Sequence, residues 1–166
     1  PDSADRRLLV IGNSFSAAFV QAFDGLTDHA PELGSVSAIV TSSWGASIAP
    51  QVPNNGPWDE ANTHYWTEVV PALVASLSHG DQVMIVNDTA AFSPPPTATD
   101  SEKRAASRLR VAAEGGLRAF AKALTARGLG LSVLGPLPFA RDANCTPEQG
   151  QDQWFSPPGA TCTFLP

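Results

Sequence analysis

Four short apolar runs, separated by stretches whose apolar residues recur every three to four positions, restrict the fold of this chain more than any other feature. The runs are residues 7–12 (RLLVIG), 35–41 (SVSAIVT), 82–87 (QVMIVN) and 130–135 (GLSVLG). Each is too short for a free-standing helix, bounded by turn residues and mostly rich in β-branched or large aliphatic side chains, so each predicts a buried strand. Between the first two, Phe15, Phe19, Ala22 and Leu26 follow a helical spacing. Between the second and third, Trp66, Val69, Leu73 and Leu77 do the same, with Pro71 expected to start or kink a helix. Before the fourth, Thr99-Asp100-Ser101-Glu102 has the form of a capping box. Leu109, Ala113, Leu117, Phe120 and Leu124 then mark the stripe of a long helix that Gly128 stops. The resulting order, β-α-β-α-β-α-β, predicts a parallel sheet covered by helices on both faces, a three-layer α/β/α sandwich.

The length of 166 residues suits one domain, taken as residues 1–166. A hydrophobic share of 43% against 16% charged excludes a wholly disordered chain. The net charge of −6 argues against nucleic acid as a partner. Seven of the ten basic residues lie between Lys103 and Arg127, read as the solvated face of the long helix, with an anionic partner as the alternative. No apolar run reaches the roughly 18 residues of a membrane span. Residues 42–60, with Gly45, Pro50, Pro53, Asn54, Asn55, Gly56 and Pro57, read as a loop. Residues 136–166 show no period and form a Pro-rich, Cys-bearing tail. Cys145 and Cys162 in that tail are followed by no His, so zinc lacks ligands. A single disulfide fits, and implies an oxidising, extracytoplasmic compartment; two unpaired thiols are the alternative. The expected result is no alkylatable thiol in mass spectrometry without reductant; two would reject the bond. The chain opens on Pro1-Asp2 without Met, which reads as a mature or excised piece.

In parallel sheets, ligands bind outside the carboxyl ends of the strands. The first strand ends Gly12-Asn13-Ser14, which sets Ser14 at the start of the following helix, either as a helix cap or as a nucleophile. The second is followed by Trp44-Gly45-Ala46-Ser47, where Gly45 offers a bare backbone N–H or simply a turn. The third ends Val86-Asn87-Asp88, where Asn87 offers an amide N–H or turn chemistry. Together Ser14, Gly45 and Asn87 would make a nucleophile and an oxyanion hole.

On these residues the sequence resembles the SGNH hydrolases, also called GDSL-type esterases, over roughly residues 7–135. Their Gly-Asp-Ser block matches Gly12-Asn13-Ser14, their second-block Gly matches Gly45, and their Gly-x-Asn-Asp block matches Ile85-Val86-Asn87-Asp88 at its last two positions. Asn13 stands where the family has Asp, and Ile85 where it has Gly. The nearest look-alikes are the SGNH domains fused to type-3 membrane acyltransferases, which carry a similar Pro-rich, Cys-bearing stretch. The resemblance implies a flavodoxin-like sandwich and an acyl-serine mechanism on an ester, O-acetyl groups on carbohydrate being the expected substrate. It also implies tethering to, or association with, a membrane acyltransferase domain. No cofactor or metal is expected, since neither a P-loop nor a GxGxxG is present.

The family's Asp-x-x-His block is absent, and with it the general base. His29 and His79 are expected at the amino-terminal edge of the sheet, away from the site. His64 follows the Gly45 loop, but Ala61 stands where an Asp would be needed. A sandwich of this type normally adds a fifth strand, so the chain reads as an N-terminal portion whose Asp-x-x-His arrives on a second polypeptide segment. The alternative reading is a non-catalytic SGNH-like carbohydrate-binding or structural domain.

Overall fold

The computed structural model describes residues 6–20, 23, 36–50, 52, 56–87, 92, 94–134, 139–140 and 164–165. Strands β1 (Arg6–Gly12), β2 (Val36–Val40), β3 (Gln82–Val86) and β4 (Gly130–Leu134) fall within one residue of the runs that predict them. They form one sheet in the order β2-β1-β3-β4, and every pairing is parallel. The chain is therefore an α/β protein built on a parallel sheet, as the alternation of periods requires. The strand order reverses at β1, with β2 added on one side and β3 and β4 on the other. That reversal opens a crevice outside the carboxyl ends of β1 and β3.

Register explains the core. Leu9 pairs with Val83 and Ile11 with Ile85, so all four point to one face, and none is exposed at all. They pack with Tyr65, Trp66, Val70 and Leu77 from the second helical segment and with Ala113 and Leu124 from the long helix. Val10 and Val86 are buried on the other face, so β1 reads as a continuous apolar run rather than an alternating one. Val133 of β4 is exposed.

The second helical segment has three parts: α2 (Asp59–His64), a π-helical turn (Tyr65–Val69) and α3 (Val70–Ala75). The kink expected from Pro71 takes this form. Proline has no N–H to continue the ladder, and the turn before it widens so that the Val70 N–H reaches the Tyr65 carbonyl. The long helix α4 (Asp100–Thr125) begins on the expected capping box. The Thr99 side chain accepts from the Glu102 N–H, and the Glu102 carboxylate accepts from the Thr99 N–H. Gly128, at φ +71°, ends it in the left-handed region. After β1 the described helix is shorter than the spacing predicts: α1 covers Ser14–Ala17, with Phe19, Val20 and Phe23 helical beyond it. Ala22 and Leu26 lie outside the described residues.

The chain divides into Pro1–Gly135 and Pro136–Pro166. In the second unit, β5 (Phe139–Ala140) and β6 (Phe164–Leu165) pair antiparallel. Two-residue strands carry too little sequence to show a period, which is why none was legible there. Cys145 and Cys162 lie outside the described residues.

A buried carboxylate holds the amino-terminal edge of the sheet. Asp81 accepts from the backbone N–H of Arg7 and of Ser78, and its second oxygen also takes the Arg7 guanidinium at 2.9 Å. Burial by itself would raise the Asp81 pKa. The hydrogen bonds and the guanidinium outweigh it and hold the carboxyl below the ordinary value of 3.8. A depressed folded-state pKa gives stability that is present above the unfolded pKa and is lost as pH falls through the folded one. Urea unfolding should therefore show stability declining below about pH 4, more steeply in the wild type than in Asp81→Asn. Equal slopes would contradict this.

Candidate active site

The carboxyl ends of β1 and β3 approach each other because β1 ends in glycine. Gly12 has φ +150°, and a Cβ there would run into the Val86 carbonyl of the neighbouring strand. The chain then turns into Asn13, whose side chain serves two neighbours. Its Oδ1 accepts from the Phe15 N–H at 3.1 Å and caps α1, while its Nδ2 donates to Asn87 Oδ1 at 3.3 Å. Asn87 in turn donates from Nδ2 to the Ala46 carbonyl at 2.9 Å. Both asparagines are 8% exposed.

This run of hydrogen bonds joins the three strand ends named from the sequence. Asn13 precedes Ser14, Ala46 follows Gly45, and Asn87 lies between them. Asparagine Nδ2 carries two N–H groups. One of those on Asn87 is spent on Ala46, and the other has no partner among the described residues. Ser14 occupies the first position of α1, is exposed, and makes no side-chain hydrogen bond to a described residue. The cap is Asn13, so the capping role considered for Ser14 belongs to its neighbour. Ser16 is fully buried and takes a structural part, its hydroxyl lying 2.8 Å from the Asn13 carbonyl and 3.0 Å from that of Thr41. Gly45 is exposed in a turn at φ +63°, a left-handed conformation that suits glycine.

Residues that sequence reading did not single out hold this edge together. Tyr65, the chain's one tyrosine, accepts from the Gly12 N–H at 3.1 Å and donates to the Thr41 carbonyl at 3.2 Å. Burial pushes its hydroxyl above the ordinary phenol pKa, which keeps the donated proton in place. The loop carrying Gly45 is pinned through Ser47. Its N–H donates to Asn62 Oδ1 at 3.0 Å, and its carbonyl accepts from the Trp66 indole at 3.2 Å. The available signal was Asn62 four residues before Trp66, hence on one helix face. Tyr65→Phe should leave the buried Gly12 N–H without this partner, while the Thr41 carbonyl keeps the Ser16 hydroxyl, and should cost about 1–3 kcal/mol in urea unfolding; an unchanged midpoint and slope would contradict the contact.

Neither described histidine is hydrogen-bonded to Ser14. His64 is exposed, with Nδ1 3.4 Å from the Glu68 carboxylate one turn along. His79 lies beside Gly128, before β3 begins, at the amino-terminal edge where the sequence places it. His29 and Asp88 lie outside the described residues. Among the described residues no group of three or more His, Cys, Asp and Glu side chains is placed to hold a metal ion. Nor is any helix among them long and apolar enough to cross a membrane.

Beside the Ser47 loop is a cleft of about 440 Å³, lined by Ser47, Asp59, Asn62, Thr63, Trp66 and Thr67 together with Pro50 and Val52. Comparison with protein-family models, curated proteins and solved structures finds no match to this chain.

Proposed function

We propose that this chain carries the nucleophile and oxyanion hole of an SGNH-type serine ester hydrolase or O-acyltransferase. The observation that carries the reading is the run of hydrogen bonds from Asn13 through Asn87 to Ala46, which gathers the neighbours of Ser14 and Gly45 around one amide. In this reading Ser14 Oγ attacks an ester carbonyl and its proton passes to a base. The carbonyl oxygen becomes an oxyanion held by the Ser14 and Gly45 backbone N–H groups and by the second Asn87 N–H. Collapse of the tetrahedral intermediate expels the alcohol, protonated by the conjugate acid of that base, and leaves acyl-Ser14. Water, or a sugar hydroxyl, then attacks the acyl-serine and regenerates the hydroxyl.

Asn13 suits this arrangement better than an aspartate would. A carboxylate could cap α1 but could not donate to Asn87 Oδ1, and the Asn87 amide would lose the contact that orients its N–H groups. In this reading the base comes from an Asp-x-x-His pair on a second polypeptide segment, because neither described histidine is hydrogen-bonded to Ser14. An acylated carbohydrate is the substrate class, in an extracytoplasmic setting and in association with a membrane acyltransferase domain. The second reading, a non-catalytic carbohydrate-binding domain, is favoured by one observation: neither described histidine is hydrogen-bonded to Ser14. The experiment that separates them is hydrolysis of a short-chain aryl ester by protein that includes the Asp-x-x-His segment, against its Ser14→Ala variant. Activity lost with Ser14 supports the enzyme. Activity in the 166-residue chain alone would overturn the missing base and make His64 the next residue to replace.

A further inference from the structure

We infer that Trp44 and Trp58, with the cleft that begins at Asp59, form a subsite for a neutral pyranose ring of an oligosaccharide. The inference rests on the esterase reading only for its link to Ser14; it names the part of the substrate that does not react.

The first ground is exposure. Trp44 is 70% exposed and Trp58 49%, yet their rings lie 6.3 Å apart, tilted by 38°. Two indoles left in water side by side are a costly surface unless something covers them. Their faces are electron-rich, and the C–H bonds of a pyranose with equatorial hydroxyls present a complementary, weakly positive face.

The second ground is the cleft. Asp59, Asn62, Thr63, Trp66 and Thr67 recur at helical spacing, so one face of the second helical segment lines it with the Asp59 carboxylate and the Thr63 and Thr67 hydroxyls, beside Asn62 and Trp66, which hold Ser47. Its volume of about 440 Å³ lies within the range of small-molecule sites, roughly 300–1,000 Å³. None of its lining side chains is basic, and Asp59 is acidic, so the chemistry disfavours a phosphate or carboxylate ligand and suits hydroxyl groups. The third ground is position. Trp58 immediately precedes Asp59, and its carbonyl accepts from the Asn62 N–H at 2.8 Å. Trp44 immediately precedes Gly45, so the platform adjoins both the cleft-lining helix and the turn of the proposed oxyanion hole.

The test is titration with cellotetraose, xylotetraose and chitotetraose, followed by tryptophan fluorescence and calorimetry. At least one should bind the wild type in the micromolar to millimolar range. Trp44→Ala and Trp58→Ala should each weaken that binding about tenfold or more. Both side chains are exposed, and circular dichroism should show both variants folded. The inference is overturned if no tetrasaccharide binds at about 10 mM, or if binding persists undiminished in both tryptophan variants. Sugar binding with undiminished ester hydrolysis in Ser14→Ala would sink the esterase reading alone. Ester hydrolysis dependent on Ser14 without sugar binding would sink the subsite alone.

Discussion

Ser14→Ala should lower ester turnover by about 10⁴-fold or more in protein that includes the Asp-x-x-His segment, the scale seen when a nucleophile is removed from a serine hydrolase. Stability should stay within about 0.5 kcal/mol of wild type, since the Ser14 side chain is exposed and bonded to no described residue. Those two results together separate a chemical role from a structural one. Asn87→Ala should lower turnover by about 10²–10³, the usual loss for one oxyanion donor. It also removes two hydrogen bonds, to Asn13 and Ala46, so urea unfolding must accompany the kinetics. Full activity in Ser14→Ala would end its assignment as nucleophile. A turnover loss in Asn87→Ala no larger than its loss of folded protein would end the donor assignment.

Gly12→Ala should be the most destabilising single substitution at the site. An alanine at φ +150° adopts a backbone conformation that costs about 1–3 kcal/mol, and forcing its methyl group against the Val86 carbonyl adds about 1–3 kcal/mol more. The relief available is a wider separation of β1 and β3 at their carboxyl ends. That movement would stretch the Asn13–Asn87 contact, already at 3.3 Å. Gly12→Ala should therefore lose activity even in the fraction that remains folded, measured as turnover per folded molecule after urea-calibrated correction. Wild-type stability would show that the strands do not meet as closely as described.

The architecture was legible because short apolar runs alternate with stretches of helical period. The runs that became β1, β2, β3 and β4 predicted their own boundaries to within a residue. The capping box at Thr99 and Glu102 announced the start of the long helix from local chemistry alone. That the first three strands neighbour one another was expected from the fold class rather than from the residues, and the order β2-β1-β3-β4 is what brings Asn13 to Asn87. A sequence can place residues at strand ends without saying which strands adjoin. Tyr65 was hidden for a different reason. It lies off the Trp66, Val69, Leu73 and Leu77 spacing, between His64 and Trp66, and only the π-helical turn before Pro71 and the tertiary fold bring its hydroxyl to Gly12 and Thr41. The two roles of Asn13 were also out of reach, because they depend on a partner 74 residues away. Trp44 and Trp58 were read as loop residues, since a shared exposed face cannot be seen in positions 14 residues apart along an aperiodic stretch.

The central claim is that Ser14 is a nucleophile facing oxyanion donors, lacking only its base. Added imidazole can stand in for that base, since Ser14 is open to solvent. The most direct measurement is hydrolysis of p-nitrophenyl acetate by the 166-residue chain in imidazole buffer, with the rate of imidazole alone subtracted. The predicted result is a protein-dependent rate that saturates with ester, falls in Asn87→Ala and vanishes in Ser14→Ala. A rate no greater than that of imidazole alone, or one unchanged in Ser14→Ala, would contradict it.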